Sequence, residues 1–308
     1  QDSRNAQILD LVHVPDNLYP HFVSYAQLAD RQLVSLSGAD AVTFAHAQFS
    51  ADVVALGDGH WQWSAWLSAK GRTLAVFQLI RMSSQHLLLV FADGDANEIA
   101  SQLQRFVFRR KVSITVRTDL RAIGGFCAPA RARGAVMAGT LPADGDDAAF
   151  LELDIGSGAL PRTLRIAAAG DPGGAAGDAA FTTAWRASDL RFGLPRLVQG
   201  QREQWTPQQL GLDRLNGYSV KKGCYPGQEI VARTHFLGKA KRGVQLLELD
   251  RPCEAGASVE QAGAPLGTVV STAGTLALAV LPLETSEAPV SVDGQDARRV
   301  PLLDGLGR

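Results

Sequence analysis

Apolar and polar positions alternate in short runs along the N-terminal part of the chain, and other runs place their apolar residues at helical spacing. The strand-like runs cover residues 32–37, 61–67, 73–81, 86–91 and 112–117. Helices are predicted at residues 40–49, where Val42, Ala45 and Phe49 share one side, and at residues 96–109. Strands and helices mix without a regular βαβ repeat, which favours an α+β fold.

The pattern changes from Gly243 onward. Short apolar runs there alternate with Gly, Pro and acidic turn residues, at 244–249, 268–271, 276–281 and 290–292. Closely spaced short strands joined by turns are typical of small antiparallel barrels. We therefore expect the chain to end in a small antiparallel β-barrel.

The composition is that of an ordinary globular protein. The chain has 308 residues, of which 46% are hydrophobic and 20% charged, and its formal net charge is -1. A nearly neutral chain has no overall positive field to attract nucleic acid, so an anionic ligand needs a local basic patch. No apolar run could span a bilayer, and the start QDSRNAQILD lacks a signal-peptide pattern. We expect a cytoplasmic protein with no membrane partner and no direct nucleic-acid partner.

The cysteines argue against a disulfide framework and against a stably bound metal. Cys127, Cys224 and Cys253 are odd in number and far apart in sequence, as in proteins of reducing compartments. They form no CxxC pair and no set of four, which zinc sites and iron-sulfur clusters usually need. We predict no metal site.

The densest chemistry lies in the motif segment, residues 221–233, which reads KKGCYPGQEIVAR. Pro226 at the second position of a turn and Gly227 at the third are typical of a type II turn. The residues from Gln228 suit a helix that has Glu229 in its first turn. Cys224 would then lie just ahead of a helix N-terminus.

That position favours a reactive thiol. Lys221, Lys222 and Arg233 are close to Cys224 in sequence, and positive charge and a helix N-terminus both stabilise a thiolate. We hypothesise that Cys224 is reactive. The alternative, that Cys224 is a small packing residue, has equal weight from the residues alone.

Two basic runs could bind anions. The first surrounds Cys224 in sequence and comprises Lys221, Lys222, Arg233, Lys239, Lys241 and Arg242. It predicts either a pocket for a carboxylate or phosphate ligand or a solvated face. The second comprises Arg105, Arg109, Arg110 and Lys111, and we interpret it as a solvated face.

The motif segment resembles the signature of the YgfZ family of folate-binding proteins, relatives of the aminomethyltransferase (T protein) of the glycine cleavage system. Other blocks of the chain are similar to the family in order: GADAVTFAHAQFSADVVAL, WSAWLSAKGRTLAVFQL, LQRFVFRRKVSI, RFGLPRL, WTPQQLGLDRLNGYSVKKGCYPGQE and APLGTVVS. The resemblance implies an α+β, three-domain, T protein-like assembly around a central hole. We place an N-terminal α+β domain at 1–118, on which part of 190–240 packs, a second α+β domain with the motif at 119–240, and the barrel at 241–308.

The resemblance also implies a function. Family members bind tetrahydrofolate and help to make or maintain iron-sulfur proteins, including those that modify tRNA, so the implied partners are a folate and iron-sulfur assembly or client proteins. Cys224 is the implied key residue. The residues implied to build its surroundings are Lys222, Gly223, Tyr225, Gly227, Gln228, Glu229 and Arg233.

The implied folate site consists of Trp185, Tyr225 and Arg191. A pterin is flat and could stack on Trp185, while a basic patch could hold its anionic glutamate tail. The alternative for Trp185 is a core tryptophan. Arg191 stands where aminomethyltransferases carry a glutamate, so another folate form, another anion or a shifted pose stays open.

Two departures bear on catalysis. Val76 and Arg191 occupy positions where true aminomethyltransferases carry acids, so groups that could orient or protonate an aminomethyl substrate are missing. Three functions remain: a folate-binding accessory protein of iron-sulfur cluster biogenesis or repair, a folate-dependent one-carbon transferase, and a non-catalytic interaction module. The first is the leading hypothesis.

Overall fold

A computed structural model describes residues 25–142, 148–170, 177, 179–238, 240–284 and 288–308. Within these residues the chain forms two five-stranded sheets, one closed barrel and four α-helices. The α+β class and the C-terminal antiparallel barrel predicted from the sequence are confirmed. No helix in the described ranges combines the length and the apolarity that a membrane span needs.

The first sheet is built from the N-terminal strands in the order β3-β4-β5-β2-β6. Its strands are β2 (Gln32–Ser37), β3 (His60–Leu67), β4 (Thr73–Ser83), β5 (His86–Phe91) and β6 (Ser113–Val116). Helices α1 (Ala41–Gln48) and α2 (Ala96–Gln104) pack on one face. Alternate residues of β5 enter two different cores, Leu88 and Val90 on one side and Leu87 and Leu89 on the other. The strand is a continuous apolar run because both faces of the sheet are covered.

Helix α2 is shorter than the sequence pattern predicted. Its buried side comprises Ala96, Ile99 and Leu103, and it ends at Gln104 rather than at residue 109. Phe106 and Phe108 continue the apolar pattern but are exposed. Another helical turn would therefore bury no apolar side chain that could stabilise it. The second basic run therefore lies on an irregular exposed segment instead of a helix.

The second sheet takes four strands from the middle of the chain and one, β1, from the start of the described residues, in the order β1-β7-β10-β9-β8. It comprises β1 (Ala26–Gln27), β7 (Leu120–Gly125), β8 (Ala138–Gly139), β9 (Phe150–Asp154) and β10 (Thr163–Ala168). Helix α3 (Ala179–Arg191) follows it, and α4 (Gln228–Phe236) follows the motif turn. One large core joins residues of both sheets, α3 and the barrel.

The barrel closes in the order β11-β14-β13-β12-β15-β16, with every neighbouring pair antiparallel. Its strands are β11 (Arg242–Leu249), β12 (Ser258–Gln261), β13 (Ala264–Ala273), β14 (Leu276–Pro282), β15 (Val290–Val292) and β16 (Gln295–Val300). The apolar pattern predicted four of these strands and missed β12 and β16. Both are rich in polar residues that face outward, so neither has an apolar run.

Residues 203–222 run along the first sheet and carry the chain to the motif segment. The amide of Thr73 at the start of β4 donates to the Trp205 carbonyl at 2.7 Å, and Glu203 donates back to the Thr73 carbonyl at 3.0 Å. Further along, Ser219 donates its amide to the Ser50 carbonyl at 2.8 Å. These contacts fix the motif segment against the β3–β4 hairpin and the end of α1.

Candidate functional site

The motif turn has the predicted geometry. Gly227 has φ 76° and ψ 2°, and the Gln228 amide donates to the Tyr225 carbonyl at 3.1 Å. These are the dihedral angles and the hydrogen bond of a type II turn, which requires positive φ at its third residue. Helix α4 begins at Gln228, so Cys224 lies directly ahead of it, and its side chain is exposed.

A second reason for glycine at position 227 is a close approach of two loops. A Cβ on Gly227 would lie 2.5 Å from the Gly71 Cα and 2.6 Å from the Ser68 carbonyl oxygen. Gly71 is itself left-handed, with φ 68°, and a Cβ on it would lie 2.8 Å from the Ile230 Cβ. The SAKGR turn between β3 and β4 therefore packs directly against the motif turn. This contact requires glycine at both position 71 and position 227.

Lys222 is a buried anchor and not a member of a basic patch. Its ammonium donates to the carbonyls of His46, Phe49 and Ala51, the last at 3.0 Å. These carbonyls lie at and just after the C-terminus of α1, where the helix dipole favours a cation and the carbonyls lack helical partners. Burial lowers the pKa of Lys222 to about 8, opposed by the nearby Asp52 carboxylate. The prediction that Lys222 contributes positive charge to an accessible patch is wrong, because three backbone oxygens use all three of its donors.

Tyr225 is tied to the same structure. Its hydroxyl donates to the Ser219 carbonyl at 3.0 Å, and the Lys222 ammonium lies 4.7 Å from its ring centroid. Burial raises the pKa of Tyr225 above the ordinary range. Gln228 closes the loop by donating its side-chain amide to the Lys222 carbonyl at 2.9 Å. The predicted folate contact by Tyr225 is not supported, because its hydroxyl and ring are engaged in packing.

Cys224 is thus the accessible point of an anchored loop. Its neighbour Gly223 is exposed, and a Cβ added there would meet no atom within 4 Å, so space is open beside the thiol. Glu229 is also exposed, in the first turn of α4. The loop holds the backbone on both sides of Cys224 and leaves the sulfur to solvent.

Trp185 lies in the core on α3. Its side chain is 1% exposed, with Phe126 at 5.3 Å and Phe181 at 6.0 Å between ring centroids, and the Arg162 guanidinium lies 5.1 Å from its ring. Gly124 on β7 makes room for it, because a Cβ there would lie 2.8 Å from the ring. No ring face is open for a stacked pterin, so the structure supports the core alternative for this ring. Its indole Nε1 nevertheless has no hydrogen-bond partner among the described residues.

Arg191 lies in the last turn of α3 and is 7% exposed. Its carbonyl accepts the Leu303 amide at 2.7 Å, which ties α3 to the C-terminal strand region. The guanidinium Nε is buried and finds no hydrogen-bond partner in the part of the chain that the structure describes. α3 therefore holds two buried N–H donors, on Trp185 and Arg191, that no described residue satisfies.

Sequence reasoning missed a buried ion network next to these donors. Asp189 accepts from Arg31 at 2.6 Å and from Arg162 at 2.7 Å, and all three side chains are buried. Burial alone would raise the pKa of Asp189, but the adjacent guanidinium groups hold it below its usual range. No local motif marks this network, because its members are up to 158 positions apart in the chain.

Positions 76 and 191, where true aminomethyltransferases carry acids, are both buried in this protein. Val76 lies on β4 opposite Ala65, is 5% exposed and belongs to the main core. Among the described residues, no group of three or more His, Cys, Asp or Glu side chains could hold a metal ion. Neither Val76 nor Arg191 can supply a carboxylate to a substrate.

Three other members of the first basic run line a cavity of about 730 Å³ beside α4, here called the α4 cavity, and Lys221 is exposed outside it. Arg233, Lys241 and Arg242 lie in its wall, together with Arg72, which sequence reasoning missed. Arg72 ends the SAKGR turn, so the family-like block that contains it was the available signal. Cys224 is not among the lining residues, and Lys239 lies outside the described residues. The predicted basic patch around Cys224 is therefore not one surface. Lys222 is buried, and the cations on and after α4 line a separate cavity.

Comparisons with known proteins agree with this architecture. Residues 241–301 match the model of the CAF17 C-terminal beta-barrel domain. The tRNA-modifying protein YgfZ of Colwellia psychrerythraea is 29% identical, over 76% of this chain and 75% of the relative. The tRNA-modifying protein YgfZ of Aliivibrio fischeri is 27% identical, over 88% of this chain and 89% of the relative. The resemblance to the YgfZ family is confirmed.

A solved structure shows the same fold. The glycine cleavage system aminomethyltransferase T from Bartonella henselae superposes with a TM-score of 0.70, over 91% of this chain and 85% of that chain. Its sequence identity is 16%, so the likeness concerns the fold. The T protein-like fold class predicted from the sequence is thereby confirmed.

Proposed function

We propose that the protein is a tetrahydrofolate-binding accessory protein of iron-sulfur cluster biogenesis or repair, including that of iron-sulfur enzymes that modify tRNA, and that it acts through Cys224. The observation that carries the proposal is the presentation of Cys224: the thiol is exposed while Lys222, Tyr225 and Gln228 fix the loop around it. A packing cysteine has no need of such a frame. The names of the relatives, tRNA-modifying proteins, support the client class.

The geometry suits three uses of the thiol. An exposed sulfur ahead of a helix N-terminus can attack an electrophile, exchange with a disulfide, or ligate a metal ion or cluster in transit as cargo. Each use needs a partner to approach closely, and the open space beside Gly223 permits that approach. The anchored backbone keeps the sulfur in one place for the encounter.

The folate part of the proposal rests on α3. Within the described ranges Trp185 Nε1 and Arg191 Nε are buried donors without partners, and each such group costs about 1–3 kcal/mol of stability. A tetrahydrofolate has ring and carboxylate acceptors that could satisfy them, so these residues would hold the ligand as hydrogen-bond donors. When bound, the folate would be able to carry a one-carbon unit. The ring of Trp185 contributes packing rather than stacking.

A one-carbon transferase is the weaker proposal. Position 76 is an enclosed valine, and position 191 supplies a guanidinium, which cannot accept a proton from a substrate. No carboxylate takes their place in the motif turn. A cytoplasmic location likewise stays a prediction.

The proposal is tested by complementation with a matched pair of serine variants. In cells that lack the gene, Cys224→Ser is expected to leave iron-sulfur enzyme activity and the modified nucleosides of tRNA at the level of the empty vector. Cys127→Ser removes the other exposed cysteine and should restore both. Full restoration by Cys224→Ser at equal protein level would refute the role of the thiol and favour a non-catalytic interaction module.

A further inference from the structure

The wall of the α4 cavity is rich in positive charge. Its described residues include Arg72, Arg233, Lys241 and Arg242, and none of them carries an acidic side chain. Its neutral polar lining comes from Thr206, Gln209 and Thr234. A volume of about 730 Å³ falls within the range of small-molecule sites. Cavity size and charge both fit an anionic small molecule.

The four cations have no acidic partner among the residues that the structure describes. Within the described ranges no ion pair involves any of them, whereas Arg31, Arg162 and Arg196 are paired with carboxylates in the interior. Like charges that share a concave wall repel one another, and an anion bound between them removes that repulsion. A bound anion would therefore lower the electrostatic energy of this wall.

Two of the cations are held in place. Arg72 donates from Nη1 to the Gln204 carbonyl at 2.8 Å, and Arg242 donates from Nη1 to the Leu266 carbonyl at 2.7 Å. Each guanidinium has five N–H donors, so these bonds leave donors for a bidentate contact with a phosphate or carboxylate. Because the two groups are already positioned, little side-chain entropy is lost on binding.

One face of α4 supplies the rest of the wall. Ile230, Arg233, Thr234 and Leu237 follow the spacing i, i+3, i+4 and i+7, which places them on one side of the helix. Ile230 and Leu237 are exposed apolar residues, and Leu237 is 84% exposed. The occupant can therefore bury an apolar portion against α4 while its anionic groups meet the cations.

We propose that the α4 cavity binds a small organic oligoanion, a molecule with two or more phosphate or carboxylate groups. The proposal is independent of the role of Cys224, because that residue does not line the cavity. Two sources share the chemistry: a phosphorylated metabolite and a chain of γ-linked glutamates. In either case the contacts are charge-assisted hydrogen bonds from the arginines and Lys241.

Isothermal titration with tripolyphosphate and, separately, with tri-γ-glutamate tests the site at near-physiological salt. Arg233 and Lys241 are exposed, and their side chains make no hydrogen bond to the described residues, so Arg233→Gln/Lys241→Gln should fold normally. We expect this pair to weaken binding of the active probe by about 100-fold, since each lost charged contact is worth about 1.4 kcal/mol or more. The control, Arg105→Gln/Lys111→Gln, removes the same charge from an exposed segment elsewhere and should change affinity less than about twofold.

Binding of tripolyphosphate alone assigns a phosphorylated ligand, and binding of tri-γ-glutamate alone assigns a carboxylate chain. The proposal is overturned if neither probe shows saturable binding. It is also overturned if the two double variants weaken binding equally. The titration is repeated on Cys224→Ala, which should bind the probe as the unmodified protein does. Failure of the cavity and failure of the cysteine function are therefore distinguishable.

Discussion

The motif segment and α3 treat their candidate functional groups in opposite ways. The motif segment buries Lys222 and Tyr225 and exposes Cys224, whereas α3 buries both Trp185 and Arg191. The first arrangement leaves the Cys224 thiol accessible from solvent on an anchored loop. The second encloses two N–H donors that have no acceptor among the described residues. Under the proposed function, a client protein would meet the motif segment and a folate would meet α3.

The frame of the motif segment should fail most severely when Lys222 is removed. Lys222→Met leaves the carbonyls of His46, Phe49 and Ala51 without a donor, so we expect the free energy of unfolding to fall by about 3 kcal/mol. Urea unfolding measures the change. Lys221→Met next to it removes an exposed lysine and should stay within about 0.5 kcal/mol. Equal effects of the two substitutions would show that Lys222 is not an anchor.

The contact between the motif turn and the SAKGR turn should be nearly as sensitive. Gly227→Ala places a methyl group against Gly71 and forces positive φ on alanine, which should cost about 2 kcal/mol. Gly223→Ala is the matched control, because a Cβ there meets nothing within 4 Å. A Gly227→Ala protein as stable as the control would mean that the two turns separate without cost.

Trp185→Phe tests whether the buried donor on α3 contributes to ligand binding, because it removes the indole N–H and keeps an aromatic ring. If Trp185 donates to a folate, affinity for tetrahydrofolate in calorimetric titration should fall about tenfold. Trp63→Phe controls for lost packing, because the indole N–H of Trp63 already donates to the Leu306 carbonyl at 3.1 Å. An unchanged dissociation constant for Trp185→Phe would leave Trp185 with a packing role alone.

A pH dependence of the Lys222 anchor is a further expected effect. Burial lowers the pKa of Lys222 to about 8 in the folded protein, so above that pH the unfolded chain binds more protons until the ordinary lysine range is reached. The contribution of Lys222 to stability should therefore rise with pH across this window. Unfolding free energies of the unmodified protein and Lys222→Met, compared at about pH 7 and pH 9.5, measure it. A difference that stays flat or shrinks would contradict the assigned burial.

Local chemistry in the sequence predicted the motif turn well, since Pro226 and Gly227 determine a type II turn and the following residues start α4. The sequence could not show that Lys222 turns inward, because its three acceptors are backbone carbonyls about 170 positions away. Nor could the sequence show that Arg233 and Cys224 belong to different sites. Arg233 lines the α4 cavity together with Arg72, which comes from the distant β3–β4 hairpin. Contacts between distant segments, not local propensity, decide which side chains share a site.

Site-resolved alkylation of the native protein tests most directly whether Cys224 is presented for reaction. With limiting iodoacetamide and mass spectrometry, we expect Cys224 to label in the folded protein at least as fast as in the urea-unfolded chain. Cys253, which is half-buried and whose pKa is raised by burial, should be slowed by folding. Protection of Cys224 in the native state, with labelling only after unfolding, would contradict the account.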